Sequence, residues 1–278
     1  MKSLNDCYTL RNGYKIPCVG LGTWQTPDGD VVIQAVKAAV NAGYKLIDTA
    51  AGYGNEKGVG DAIKECGVSR EDLFIISKLR NAERSYDRAL RAFDKTMEEL
   101  QLEYLDLYMI HWPIKKGTEG WEETNLDTWK ALEKIYNDGR VKSIGVCNFL
   151  THHLKSLIDG AEVVPMVDQI EFNPGYMQKD TVAFCRENEI LVQAWSPLGT
   201  GRMLSNEELI SIAGKYNKSV AQLCVRWCIQ NGVLPLPKSI TPSRIEENAN
   251  VFDFSISEAD MATLCSMPEF GISGFFPD

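Results

Sequence analysis

Four polar residues of types that handle protons lie at or just after apolar runs: Asp48, Tyr53, Lys78 and His111. A tyrosine can release a proton, a lysine can ease that release, an aspartate can hold the lysine, and a histidine can orient a substrate oxygen. The carboxyl ends of parallel strands meet at one face of a barrel, so side chains there can share one site. The four residues therefore predict acid–base chemistry at a carbonyl group.

The predicted interaction between Lys78 and Tyr53 can be given a magnitude. A phenol has an ordinary pKa of about 10. A lysine ammonium about 4 Å away stabilises the phenolate by roughly 4 kcal/mol at an effective dielectric constant of about 20, which is about three pKa units. We therefore expect Lys78 to bring the pKa of Tyr53 towards neutrality, and Asp48 to keep Lys78 charged.

A second polar cluster follows the last strand-like run of the chain. Its residues are of types that bind phosphate: Lys238, Ser239, Thr241 and Arg244. Ser243 is a candidate cap for a short helix whose N-terminus would attract an anion. Barrels of eight βα units commonly bind phosphate after their seventh and eighth strands. The cluster therefore predicts a site for a phosphate-bearing ligand.

Eight mostly continuous apolar runs of strand length alternate with helical or polar segments, as in a parallel sheet buried on both faces. The predicted strands are Cys18–Thr23, Lys45–Thr49, Leu73–Leu79, Leu105–Trp112, Ser143–Asn148, Met166–Glu171, Ile190–Pro197 and Val233–Ser239. Eight βα units in about 250 residues match the size of a (β/α)8 TIM barrel of the α/β class. No segment resembles a linker, so we expect a single domain over residues 1–278.

Six segments between these runs carry apolar residues at helical spacing. The predicted helices are Asp30–Asn41, Arg84–Leu100, Leu126–Asp138, Gln178–Asn188, Asn206–Asn217 and Ser219–Asn231. A doubly wound dinucleotide-binding fold is the alternative, and it requires G-x-G-x-x-G after the first strand. Gly20 and Gly22 supply two of these glycines, but Gln25 stands in the third position. The barrel is therefore the better interpretation.

The segment Tyr8–Ile16 has the pattern of a β-hairpin. Asn12-Gly13 is typical of a two-residue turn between antiparallel strands. We expect this hairpin to close the bottom of the barrel, opposite the active face.

The overall charge of −9 argues against nucleic acid or an anionic membrane as a partner, because both favour basic surfaces. The start of the sequence has no apolar core of the signal-peptide type, and no stretch approaches the length of a membrane span. We therefore expect a cytoplasmic protein that acts on small molecules.

The eight cysteines and three histidines do not have the spacing of a metal site. No two cysteines form a C-x-x-C pair, so we expect buried, reduced thiols. His152 and His153 follow Thr151, which stands in a position typical of a helix cap, and their spacing to His111 does not suit a shared metal. We predict no metal.

Several motifs occur together along nearly the whole chain, and jointly they are specific. They are Leu21-Gly22-Thr23-Trp24, Ile47-Asp48-Thr49-Ala50, Tyr53-Gly54-Asn55-Glu56, Ser77-Lys78, Leu105–Pro113, Gly145–Phe149, Asp168-Gln169-Ile170-Glu171, Ala194–Gly199 and Pro237–Asn248. With these motifs the chain resembles the aldo-keto reductase family. The closing segment Gly271–Asp278 is similar to that of small bacterial members, including those called 2,5-diketogluconate or glyoxal reductases.

The resemblance implies NADPH-dependent reduction of an aldehyde or ketone to an alcohol. In that reaction Tyr53 would protonate the carbonyl oxygen, Asp48 and Lys78 would tune Tyr53, and His111 would orient the carbonyl. Trp24 and Trp112 would line the substrate pocket above Tyr53 and His111.

The resemblance also implies a set of residues that bind NADPH or NADP+: Gly22, Thr23, Asp48, Cys147, Asn148, Gln169, Trp195, Ser196, Leu198, Gly199, Lys238, Ser239, Thr241, Arg244, Glu247 and Asn248. Trp195 would stack on the nicotinamide, and Asn148 and Gln169 would hold its carboxamide. Lys238, Ser239 and Arg244 would bind the 2′-phosphate of the adenosine, and Glu247 and Asn248 the adenine. Cys147 stands where the family usually has serine, and a thiol is the poorer hydrogen-bond donor.

The loop Ile114–Asn125 and the tail Met267–Asp278 should decide which carbonyl is reduced. The short tail favours small or polar substrates such as dicarbonyls, keto-sugars or aromatic aldehydes, and the resemblance favours a monomer. Two other functions stay open: a catalytically weak NADPH-binding redox sensor, and a barrel lyase or isomerase that uses Lys78 as a Schiff base.

Overall fold

The computed structural model describes residues 1–270 and 272–278, so Gly271 of the closing motif lies outside the described residues. Its first element is an antiparallel hairpin of β1 (Cys7–Thr9) and β2 (Lys15–Pro17). The Gly13 N–H donates to the Leu10 carbonyl, and the Leu10 N–H donates to the Tyr14 carbonyl. These bonds enclose a three-residue loop, and Gly13 has a left-handed φ of 85°. The predicted two-residue Asn12-Gly13 turn is therefore wrong, because Arg11 and Asn12 are the central residues of the turn.

The hairpin covers the amino-terminal ends of the barrel strands. The Tyr14 hydroxyl donates to Asp106 Oδ1 at 2.8 Å, and Asn12 Nδ2 donates to the Lys142 carbonyl at 3.0 Å. Both acceptors lie just before strands of the barrel. Ile16 points inward and is fully buried. The predicted closure of the barrel bottom is confirmed.

Eight parallel strands form the barrel in chain order, each paired with the next. They are β3 (Gly20–Gly22), β4 (Leu46–Asp48), β5 (Phe74–Leu79), β6 (Leu107–Ile110), β7 (Ile144–Cys147), β8 (Val167–Glu171), β9 (Leu191–Trp195) and β10 (Leu234–Pro235). A bridge between Gly22 and Lys238 and a hydrogen bond from the Gly22 N–H to the Pro237 carbonyl bring β3 against the segment that follows β10. The predicted (β/α)8 fold is confirmed, since a doubly wound sheet would not keep this sequential, nearly closed order.

Ten α-helices occur in the described part of the chain. They are α1 (Asp30–Asn41), α2 (Glu56–Glu65), α3 (Tyr86–Leu100), α4 (Trp121–Asn137), α5 (Thr151–Gly160), α6 (Lys179–Glu187), α7 (Glu207–Lys215), α8 (Val220–Gln230), α9 (Pro242–Ala249) and α10 (Glu258–Cys265). The six predicted helices correspond to α1, α3, α4, α6, α7 and α8. Trp129 of α4 and Trp227 of α8 are fully buried against the barrel, and burial of a large apolar side chain contributes about 1.5–3 kcal/mol.

Three local predictions need correction. Helix α4 begins at Trp121, so the loop predicted to run to Asn125 ends earlier. Thr151 is the first residue of α5 rather than its cap, and the capping contact is made by His153 Nδ1, which accepts from the Leu150 N–H at 3.2 Å. Ser243 lies inside the first turn of α9, whose cap position is Thr241.

No helix within the described residues is long and apolar enough to cross a bilayer.

Candidate active site

Lys78 lies at the centre of the polar cluster at the carboxyl ends of the strands. It is fully buried, and its Nζ donates to Asp48 Oδ1 at 2.6 Å, to the Thr49 carbonyl at 2.9 Å and to the Tyr53 hydroxyl oxygen at 3.3 Å. An ammonium has three protons, so these bonds use all of them. Tyr53 accepts from Lys78 and keeps its own proton for another acceptor.

The pKa of Tyr53 shifts in the direction opposite to the one that the sequence predicted. Burial has the largest effect and raises this pKa to about 12, although the charge of Lys78 lowers it. The expected shift of this pKa towards neutrality is therefore wrong. The coulombic argument omitted the cost of removing the phenolate from water, which outweighs the lysine here. Burial alone would lower the pKa of Lys78, but Asp48 and Tyr53 raise it above its usual value, so the lysine stays charged.

His111 stands beside the tyrosine as a neutral ring. The two ring centroids are 5.5 Å apart with the planes nearly perpendicular. Burial, together with the smaller effects of the nearby Lys78 and Arg84 charges, lowers the pKa of His111 to about 3. At physiological pH the imidazole is uncharged, so it can donate a hydrogen bond to an oxygen but is a poor source of protons.

These side chains open into a cavity of about 1040 Å³. The catalytic predictions Asp48, Tyr53 and His111 line it, and Lys78 lies beneath them. Trp24 and Trp112, the predicted substrate contacts, also line it. The predicted cofactor residues on its surface are Gly22, Asn148, Gln169, Trp195, Ser196, Leu198, Lys238, Ser239, Arg244, Glu247 and Asn248.

Four of the predicted cofactor residues, Thr23, Cys147, Gly199 and Thr241, are not among the described residues that line the cavity. The Thr23 hydroxyl donates to the Asp48 carbonyl at 2.9 Å, and so supports that strand end. The Cys147 thiol is buried 3.8 Å from the Met109 sulfur, and burial raises its pKa well above the usual value. Their direct contacts with a cofactor stay predictions.

One wall of the cavity is held by a network of amide groups. Trp195 Nε1 donates to Asn148 Oδ1 at 2.7 Å, and Asn148 Nδ2 donates to the His111 carbonyl at 3.0 Å. Gln169 Nε2 donates to Asp48 Oδ1 at 2.9 Å and to Gln193 Oε1 at 3.0 Å. The network fixes the Trp195 ring, and the side-chain oxygen Oε1 of Gln169 has no hydrogen-bond partner among the described residues, so it can accept from a ligand amide.

Two residues of this wall adopt a backbone conformation that is uncommon without glycine. Asn148 has a φ of 62° and Ser196 a φ of 52°, and such conformations cost roughly 1–3 kcal/mol and cluster at ligand sites. The Ser196 hydroxyl is buried and has no hydrogen-bond partner among the described residues. An unsatisfied buried hydroxyl on the cavity wall fits a polar ligand such as a pyrophosphate.

The far end of the cavity carries positive charge. Lys238 and Arg244 line it without a carboxylate partner within 4.0 Å among the described residues, and Lys238 donates to the Gln25 carbonyl at 3.3 Å. Burial lowers the pKa of Lys238, so a bound anion would stabilise its charged form. These residues fit a phosphate group.

The sequence did not identify several residues on the cavity surface, among them Thr200, Leu204 and Ser219. Thr200 follows a barrel strand, so its position after a strand was a usable signal. Lys115 also lines the cavity and lies in the loop that the sequence assigned to substrate choice. Ser219 caps α8 and does not directly follow a strand, so its sequence carries no such signal.

Comparison with known proteins agrees with this geometry. The model of the "Aldo/keto reductase family" matches residues 18–268. The chain belongs to the aldo/keto reductase family. The resemblance drawn from the motifs is thereby confirmed, and so is the oxidoreductase class.

Named members of the aldo/keto reductase family are similar over almost their whole length. Glyoxal reductase of Bacillus subtilis (strain 168) is 51% identical over 259 residues, covering 93% of this chain and 91% of that protein. Methylglyoxal reductase DkgA of Escherichia coli (strain K12) is 38% identical over 271 residues, covering 97% and 96%. The crystal structure of a Bombyx mori aldo-keto reductase in complex with NADP matches with a TM-score of 0.86 and 35% identity, covering 95% and 92%.

Proposed function

We propose that this chain reduces small aldehydes and ketones to alcohols with NADPH, and that Tyr53 is the general acid. The observation that carries this proposal is the set of three hydrogen bonds made by Lys78, because they leave the Tyr53 proton directed to an outside acceptor. A phenol whose pKa is about 12 is fully protonated at physiological pH, which is the state that a proton donor needs.

The residues of the site divide this work between them. His111 would hold the substrate carbonyl oxygen through a neutral N–H, next to the Tyr53 hydroxyl. As the proton leaves Tyr53, the Lys78 ammonium stabilises the phenolate, and Asp48 keeps that ammonium in place. Trp24 and Trp112 would cover the substrate and limit access of water.

NADPH fits the remaining surface of the cavity. Lys238, Ser239 and Arg244 would bind its 2′-phosphate, with Glu247 and Asn248 at the adenine. Ser196, Leu198 and Gly199 would line the pyrophosphate path, and Thr23 and Thr241 would support the two ends of the site. Asn148 and Gln169 would hold the carboxamide against the Trp195 ring, with Cys147 behind them. When bound, the cofactor supplies the hydride.

Small dicarbonyls are the substrates that we favour, because the two similar bacterial enzymes are named for glyoxal and methylglyoxal. We also propose that the protein acts in the cytoplasm as a monomer. The Schiff-base alternative is disfavoured, because Lys78 is fully buried and its three protons are engaged. The redox-sensor alternative is decided by the following experiment.

The test is the rate of NADPH oxidation with methylglyoxal by the parent and by Tyr53→Phe. We expect the variant to lose at least about 10²-fold in kcat, since it cannot donate a proton, with little change in NADPH binding. Tyr104→Phe is the matched control, because this ring stacks under Arg70 and is not among the described residues that line the cavity. Tight NADPH binding without turnover by the parent would instead support the sensor.

A further inference from the structure

Residues 50–54, called the Tyr53 turn here, carry the proposed proton donor but do little to fix its position. Tyr53 ends the short 3₁₀ helix Ala51–Tyr53, which contains Gly52 and is followed by Gly54 at a left-handed φ of 68°. Both glycines are exposed, and glycine leaves the backbone the widest choice of conformations. The position of the phenol must therefore be set by residues outside this turn.

Asn55 directly follows the Tyr53 turn and is completely buried. Its Nδ2 donates to the Thr23 carbonyl and to the Thr26 carbonyl, both at 3.0 Å, and its Oδ1 accepts from the Thr49 hydroxyl at 2.7 Å. The two carbonyl oxygens can only accept, so they determine which atom of the amide faces them. Both Nδ2 protons are engaged, and the side chain is held in one orientation.

The Asn55 amide makes these bonds in place of a bond to its own helix. Asn55 occupies the cap position of α2, where an asparagine side chain commonly accepts from N–H groups of the first turn. No such bond occurs among the described residues, and the Gly58 N–H donates instead to Asp28 Oδ1 at 2.8 Å. The asparagine side chain therefore has a purpose other than starting the helix.

The partners of Asn55 belong to segments that form the active site. Thr23 and Thr26 flank the segment that carries Trp24, and Thr49 directly follows strand β4. Asn55 itself is not among the described residues that line the cavity. It therefore joins the Trp24 segment, the end of strand β4 and the Tyr53 turn from behind, where it does not touch a ligand.

We propose that Asn55 is a positioning residue for proton transfer. It holds the Tyr53 turn against strand β4 and the Trp24 segment, so that the Tyr53 hydroxyl stays within reach of the substrate oxygen. Proton donation requires about 2.6–3.2 Å between the two oxygens, and a misplacement of about 1 Å can cost about 10²-fold in rate. This inference rests on the proposed reductase function.

The test removes one bond of the network, because Asn55→Ala would remove three bonds at once and endanger the fold. Thr49→Val keeps the shape of the side chain but loses the hydroxyl that donates to Asn55. We expect kcat with methylglyoxal to fall about tenfold, as for a displacement of about 0.5 Å, while KM and the Kd for NADPH stay within about twofold. Thr49→Ser keeps the hydroxyl and should restore most of the rate.

Tyr14→Phe is the matched control for a general loss of stability. It removes the hydrogen bond of 2.8 Å from the Tyr14 hydroxyl to Asp106 at the opposite end of the barrel. Its kcat should equal that of the parent. A similar loss of kcat in Tyr14→Phe and in Thr49→Val would overturn the proposal, because activity would then follow the stability of the barrel as a whole.

The Tyr53→Phe background separates positioning of the phenol from support of other groups. This variant has no hydroxyl to misplace, so adding Thr49→Val should leave its residual kcat unchanged. A further loss of about tenfold in the double variant would overturn the proposal, because the bond would then support the site independently of Tyr53. An unchanged kcat in Thr49→Val alone would overturn it as well.

Hydrogen exchange of the Tyr53 amide gives a readout that needs no turnover. This N–H donates to the Ala50 carbonyl at 2.9 Å within the turn. Faster exchange in Thr49→Val than in the parent supports the proposed role of Asn55, and equal exchange overturns it. If the parent does not reduce methylglyoxal, the proposed function fails, but this comparison still decides whether the Asn55 network holds the Tyr53 turn.

Discussion

Lys78 and Asp48 form a buried ion pair, and neither charge has much contact with water. Lys78 is fully buried and Asp48 is 3% exposed, with their atoms 2.6 Å apart. Breaking such a pair on one side costs more than replacing both partners, because it leaves a buried charge without compensation. The pair therefore contributes to the fold as well as to the chemistry.

Lys78→Met is expected to destabilise the protein by about 3–5 kcal/mol in urea unfolding, because among the described residues it leaves the Asp48 carboxylate with the Gln169 amide as its one donor. The double variant Lys78→Met/Asp48→Asn should recover a large part of that loss, since no buried charge remains. Both variants should lack reductase activity. If the double variant lost as much unfolding free energy as the two single variants together, this account of the ion pair would be contradicted.

The residue types of the site could be predicted from the sequence, whereas their proton affinities could not. Asp48, Tyr53, Lys78 and His111 follow apolar runs, and position after a strand is enough to bring them together in a barrel. The pKa of Tyr53 depends on how completely the finished cavity removes it from water. That quantity is set by all the surrounding elements, so the pairwise argument gave the wrong direction.

At the scale of elements, strands were easier to predict than helices. Barrel strands are buried on both faces, so their sequences are continuous apolar runs. Helix α2 was missed because Gly58 and Gly60 weaken its helical signal. Gly60 is there because an added Cβ would lie 2.3 Å from the Leu100 carbonyl oxygen of α3. Such close helix packing is a tertiary requirement that overrides propensity.

The segment from β10 into α9 should control the choice between NADPH and NADH. Arg244 lies in the first turn of α9 and lines the cavity without a carboxylate partner in the described part of the chain. A charge-assisted hydrogen bond contributes about 1.5–3 kcal/mol, so Arg244→Ala should weaken NADPH binding at least about tenfold. NADH binding should change little.

The measurement is the dissociation constant of each cofactor by titration of protein fluorescence. Arg88→Ala on the exposed face of α3 is the matched control and should affect neither cofactor. Equal weakening of NADPH and NADH would mean that Arg244 supports the loop instead of binding the 2′-phosphate.

The hairpin that closes the barrel and the polar residues of the candidate active site lie at opposite ends of the barrel. The hairpin closes the amino-terminal ends of the strands, and the polar cluster occupies the carboxyl-terminal ends. The chain has a net charge of −9, yet the cavity ends at Lys238 and Arg244. A local cationic pocket on an acidic protein attracts a phosphate-bearing ligand without making the surface as a whole attractive to polyanions.

The buried Asp168 makes the stability of the whole barrel depend on pH. It is fully buried on β8, its Oδ1 has no hydrogen-bond partner in the described part of the chain, and the Cys185 thiol lies 3.9 Å from its Oδ2. Burial raises the pKa of Asp168 well above its usual value. The folded state therefore holds a proton that the unfolded chain releases near its ordinary pKa of about 3.9. The protonated Asp168 contributes its full stabilisation below the pKa of the unfolded chain. This stabilisation is lost as the pH rises through the raised pKa of the folded state.

Asp168→Asn removes this titration and keeps an uncharged oxygen at the same place. The free energy of unfolding of the variant, relative to the parent, should increase from pH 5 to pH 8 by at most about 1.4 kcal/mol per pH unit. Urea unfolding at several pH values measures this difference. The pKa values of Glu56 and Glu171 are also raised, but their effects on the pH dependence of stability cancel because both proteins contain these residues. The exposed Asp159→Asn is the control, and its difference from the parent should stay constant. A constant difference for Asp168→Asn as well would mean that the carboxyl group is solvated in solution and that the barrel wall opens around it.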